Sequence, residues 1–135
     1  MKKITVIVAA ILLVASLAFA QEAKSKAAAG ESGKDLFAAH CGACHGADAH
    51  GNGAATPALK KVPPDLTKLA AAAGGKYPAT KVHHVIQGDP DLPAHGSKSM
   101  PVWGTIFLEQ TQRDRAKAQQ RIQSLVEYIG TLQGK

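Results

Sequence analysis

Residues 41–45 read Cys41-Gly42-Ala43-Cys44-His45 and hold both cysteines of the 135-residue chain. The thiols are three positions apart and a histidine follows directly. Two thiols at this spacing suit thioether bonds to neighbouring vinyl edges of one porphyrin, and the next imidazole is carried beneath its iron. Covalent attachment also gives a small chain the large apolar group that its few aromatics (4 % of residues) do not supply. Other readings explain less. A redox dithiol wants a βαβ pattern around the pair, yet the flanks Gly33–His40 and Gly46–Asp48 read as helix then loop. A structural zinc site needs four ligands and would have to recruit His40, His50 or His95. A plain disulfide, the common fate of cysteines outside the cytoplasm, gives His45 no role.

Upstream of the motif, Ser32 is placed to cap a helix over residues 33–39 whose apolar face carries Leu36 and Phe37. Before it, residues 21–31 are small, polar and charged and read as a flexible leader. Residues 1–20 read as a signal peptide. Lys2-Lys3 precede an apolar run from Ile4 to Phe19 broken only by Thr5 and Ser16, and Ala18-Phe19-Ala20 gives the small-x-small cleavage pattern. The run falls short of the ~20 residues that a spanning helix prefers. Cleavage would leave one domain, residues 32–135, in an oxidising compartment, so a periplasmic location is expected. It would also take the basic count from 16 to 14 against 10 acids, a net charge near +4. That mild, dispersed charge, with Lys60-Lys61 its one adjacent basic pair, argues against nucleic acid and for weak docking on an acidic partner.

Downstream, Ile122, Leu125, Val126, Ile129 and Leu132 recur at helical spacing and predict an amphipathic helix over 115–133. Residues 79–88 form a shorter helical pattern with Val82, Val85 and Ile86 inward and His83 and His84 toward solvent. Pro63-Pro64-Asp65 reads as a stop and a new start, and residues 66–73 end at Gly74-Gly75. Residues 46–57 and 88–96 are turn-rich. No alternating stretch of useful length reads as a strand and no repeat is visible, so the fold class is all-α.

With these residues in place, the chain resembles the class I c-type cytochromes, monohaem proteins of the cytochrome c family, over most of residues 32–133. The resemblance implies three to five helices wrapped around one covalent haem c. It implies that Met100, within Met100-Pro101-Val102-Trp103-Gly104, is the second axial ligand of the iron opposite His45. Met100 is also the only methionine beyond Met1. His95 is the credible substitute; His83, His84 and His50 are weaker rivals. The family's helix crossing matches Gly33 and Phe37 against Leu125 and Tyr128. A proline carbonyl that accepts a hydrogen bond from the ligand imidazole is also implied. Pro57 is favoured over Pro63 for that role, although the family's usual spacing is not kept here. Phe37, Trp103 and Leu69 are expected to wall the haem, and His40 and His50 to lie at the surface near its edge.

These expectations converge on a one-electron carrier, not an enzyme: a monomer exchanging electrons with redox donor and acceptor proteins, steered by Lys34, Lys60, Lys61 and Lys98. It would meet a membrane only through those partners or an uncleaved signal. The alternatives are an open-site haem sensor or peroxidase-like enzyme, and a haem subunit of a larger oxidoreductase complex.

Overall fold

A computed structural model describes residues 31–88 and 100–134. The expected signal peptide and leader (apart from Glu31), His95 and Lys98 lie outside the described residues. The rest is built from helices and turns, with no strand among the described residues, so the chain is all-α. Helix α1 spans Gly33–His40 and starts as its cap predicts: the Ser32 hydroxyl accepts from the Asp35 N–H at 3.2 Å. The chain breaks at Cys41 and re-enters a one-turn helix, α2, Gly42–His45. A 3₁₀ turn at Thr56–Ala58 follows, then another at Leu66–Lys68 that runs into α3, Leu69–Ala72. Helix α4 spans Ala79–Gln87 and stops on left-handed Gly88, whose N–H reaches the His84 and Val85 carbonyls. Helix α5 spans Trp103–Gln110 and α6 spans Arg115–Thr131. Four of these helices exceed one turn, within the expected range; α2 and α3 are single turns.

Helix α5 was not expected. Its Gly104, Thr105 and Ile106 are weak helix formers, and what precedes it reads as loop. Packing makes it helical. Phe107 is fully buried beside α6, and Gly104 lies so close to α4 that a Cβ there would come within 2.6 Å of the Gln87 carbonyl oxygen.

The core gathers where α1 crosses α6. Leu36, Phe37, Phe107, Ile122 and Leu125 have at most 1 % of their surface exposed. Phe37 and Tyr128 meet at 5.5 Å between ring centroids, the pairing implied by the resemblance. Helix α4 covers a second side of α6, with Val82 and Ile86 buried as their spacing predicted, His84 exposed and His83 half-buried. Thr111 closes the α5–α6 turn: its hydroxyl, a single donor, lies within hydrogen-bond reach of the Phe107, Leu108 and Asp114 carbonyls. Asp114 caps α6 through the Lys117 N–H. The Gln133 amide donates to the Leu66 and Ile129 carbonyls and accepts from the Ala70 N–H, tying the C-terminal turn to residues 66–72.

Tyr77 pins the segment before α4. Its hydroxyl donates to the Val126 carbonyl at 2.8 Å and its ring covers Gly130, while burial pushes its pKa up to about 12. Tyr77→Phe is expected to keep the packing and cost roughly 1 kcal/mol, the usual net worth of one such bond. Urea denaturation of the two proteins measures it.

Candidate haem-binding site

Helix α2 is the local device that assembles the site. Cys41, Cys44 and His45 sit at i, i+3 and i+4, so one helical turn puts all three side chains on one face. The turn is closed by His45 N–H to Cys41 carbonyl at 2.9 Å and Gly46 N–H to Gly42 carbonyl at 2.9 Å. So short a helix leaves its carbonyls to be satisfied from elsewhere, and the glycine-rich stretch behind it does this. The Gly51, Gly53 and Ala55 N–H groups donate to the carbonyls of His45, Cys44 and Ala43. The Thr56 hydroxyl donates to the carbonyls of Cys44 at 3.0 Å and Gly51 at 3.1 Å. Gly53 permits the approach, since a Cβ there would lie 2.3 Å from the Ala43 oxygen. Sequence reading missed this role; the glycine spacing after the motif was its one visible sign.

The face so presented opens on a cavity of about 400 Å³, within the roughly 300–1,000 Å³ of cofactor clefts. Cys41, Cys44 and His45 line it together with Met100. Phe37, Leu69 and Trp103, the expected wall residues, also line it, as do Leu66, Val82 and Ile86. His45 is 8 % exposed, Cys41 is buried, and Cys44 and Met100 are half-buried. The two cysteines are not joined in a disulfide.

Two expectations change. Pro57 does not reach the cavity: it sits exposed at the 3₁₀ turn, whereas Pro63 and Pro64 line the cavity with His45. Residues 46–56 are spent folding back over α2, so the chain lines the cavity again only from Leu59, and Pro63 and Pro64 are the prolines of this stretch that reach it. The Pro63 carbonyl passes so near Gly51 that a Cβ on that glycine would lie 2.2 Å from it. His40 is not a surface group either. It is half-buried, lines the cavity, and meets the rings of Trp103 and Phe107 at 5.2 and 5.3 Å. His50 is exposed as expected, with Nδ1 3.2 Å from the Asp65 carboxylate. Of the lysines proposed to steer docking, Lys61 lines the cavity, and Lys34 and Lys60 are exposed elsewhere on the surface.

The donor set fits a haem held by thioethers. Burial, reinforced by Cys44, pushes the Cys41 thiol up to about 12. A thiol that resists ionisation is a poor thiolate ligand or redox nucleophile, whereas a thioether sulfur carries no charge and suits the same apolar wall. Among the described residues no three His, Cys, Asp or Glu side chains cluster to hold a metal ion. An imidazole and a thioether on the walls of one apolar cavity are suitable axial ligands for a haem iron.

Asp65 secures the segment that follows Pro63-Pro64. Its carboxylate accepts from the Thr67 hydroxyl at 2.6 Å, from Lys68 at 2.9 Å and from the Thr67 N–H at 2.9 Å. These partners, the Thr67 hydroxyl foremost, then Lys68, hold its pKa well below the usual carboxylate range. A depressed pKa means that the unfolded chain takes up this proton first. Its stabilisation is therefore complete above the unfolded value near pH ~4 and is lost as pH falls toward the folded value. Asp48, held low chiefly by the Asn52 side chain, and Asp114, held low by Lys117, act in the same direction. Asp65→Asn is expected to lower stability at neutral pH and to make the acid-side decline shallower, as read by thermal melts across that range.

The cytochrome c family matches residues 30–133 of the chain. Comparison with curated proteins and with solved structures finds no match. A family match over more than three-quarters of the sequence joins an all-α fold and a Cys41-Cys44-His45 cavity wall suited to covalent haem. The chain belongs to the cytochrome c family, as a class I c-type cytochrome whose work is haem-based electron transfer.

Proposed function

We propose that this chain is a periplasmic one-electron carrier, with one haem c held by thioethers from Cys41 and Cys44 and with His45 and Met100 as the iron's axial ligands. The observation that carries this reading is that Met100 lines the same cavity as Cys41, Cys44 and His45. A bound haem supplies a one-electron ferric/ferrous couple. The chain's residues then do the rest. Cys41 and Cys44 tether the ring, His45 and Met100 close both faces to exogenous ligands, and Phe37, Leu69 and Trp103 exclude water. Thioether ligation favours the reduced iron and raises the potential. The Pro63 carbonyl, in place of Pro57, is the proposed acceptor for the His45 ring N–H, fixing the imidazole's orientation and basicity. Lys60 and Lys61 support weak, salt-sensitive docking of a monomer on acidic redox partners.

Optical spectroscopy and mass spectrometry of protein from cells that mature c-type haem test this reading. The oxidised protein should show the weak far-red band of iron–methionine ligation, and the reduced protein should not bind CO at neutral pH. Its denatured mass should equal residues 21–135 plus one haem. A high-spin spectrum with ready CO binding would instead mark an open-site sensor or peroxidase-like enzyme. A mass that retains residues 1–20 would overturn the cleaved-signal reading.

A further inference from the structure

We infer that His40 is a positioning residue for Met100, clamping the ligand-bearing end of α5 to the haem-attachment motif. The inference rests on the proposed Met100 ligation and deepens it. His40 ends α1 and directly precedes Cys41, so its backbone is anchored wherever the first thioether is anchored. Its ring contacts Trp103 at 5.2 Å and Phe107 at 5.3 Å, an edge-on arrangement with the latter. Trp103 and Phe107 are i and i+4 on α5 and are themselves 5.5 Å apart, so the imidazole fits against a prepared aromatic face. The Arg121 guanidinium lies 5.7 Å from the Phe107 centroid and fixes that ring from α6.

Trp103 is the first residue of α5 and lies three residues after Met100. The helix start has no side-chain hydrogen-bonded cap: Val102 occupies that position and supplies none. Ring packing must hold this terminus where capping does not. Gly88 against Val102 and Gly104 against Gln87 tie it to α4. His40 ties it to the side of the cavity that carries Cys41, Cys44 and His45. Loosening His40 therefore frees Met100 to swing from the iron more than it unfolds the domain.

The test compares parent protein, His40→Ala, His40→Phe and Tyr77→Phe, all as ferric holo-protein. Tyr77→Phe serves as a control because it weakens the fold through α6 without touching Trp103. Two quantities are read: urea stability, and the rate at which added cyanide replaces the sulfur ligand, a rate governed by methionine leaving the iron. His40→Ala is expected to speed replacement about tenfold, the order for loss of one or two ring contacts. His40→Phe, which restores an aromatic ring, should return to within about twofold of the parent. Tyr77→Phe should stay within the same margin despite its stability loss. If His40→Ala yields no holo-protein, His40→Leu, which keeps bulk without a ring, is read in its place with the same expectation. A parent with the far-red band and an unchanged rate in His40→Ala or His40→Leu overturns this inference alone. So does equal acceleration by Tyr77→Phe. A parent without the band overturns the ligation reading, and this inference with it.

Discussion

Met100→Ala is expected to remove the far-red band, let the reduced protein bind CO at neutral pH, and lower the reduction potential by on the order of 0.1 V or more. Axial-ligand identity moves haem potentials across a span of about 0.8 V, and exchange of a thioether for water or hydroxide disfavours the ferrous state. The fold should survive the change. Met100 is half-buried and packs at the edge of the core, whereas the large side chains Leu36, Phe37, Phe107, Ile122 and Leu125 have at most 1 % exposure. Side-chain truncation at a half-buried site falls toward or below the low end of the roughly 2–5 kcal/mol seen for fully buried methionines. Spectra, CO titration and voltammetry on the substituted protein read the outcome. An unchanged spectrum and potential would remove Met100 from the iron.

Gly33→Ala should damage the fold where Met100→Ala spares it, although it adds only one methyl group outside the cavity. A Cβ at Gly33 would lie 2.0 Å from the Ser124 carbonyl oxygen and 2.8 Å from Tyr128 Cβ. The first is helix backbone, which cannot give way unless α6 shifts along its length. Alanine's helix preference over glycine recovers at most ~1 kcal/mol, whereas overpacking a tight contact costs ~1–3 kcal/mol and more against backbone. A net loss of about 2–3 kcal/mol follows. In a domain of this size it should lower the melting temperature by roughly 10–20 °C. Separation of α1 from α6 would also pull Phe37 off Tyr128 and so disturb the cavity wall. Thermal melts of holo-protein measure it. A variant within ~0.5 kcal/mol of the parent would show that the crossing relaxes freely.

What could be read in advance was mostly local in the chain. The Cys41–His45 spacing, the Ser32 cap and the apolar period of α6 each depend on residues within two or three turns of one another. The match of Gly33 and Phe37 with Leu125 and Tyr128 was long-range, yet it was available through family resemblance. Less legible were features whose partners lie far along the chain. The glycines of residues 46–53 read as loop until their N–H groups appear on the carbonyls of α2. Helix α5 carries weak formers and becomes helical under the packing of α4 and α6. His40 looked like a surface histidine because nothing nearby in sequence announces Trp103 and Phe107.

The sequence by itself determined the chemistry: two cysteines and a histidine at helical spacing carry their attachment geometry wherever the helix is placed. Only the tertiary structure decided which proline reaches the cavity beside His45, and which ring braces the start of α5. Those outcomes depend on how much chain the loops consume before they turn back, a property of the whole path and not of any local pattern.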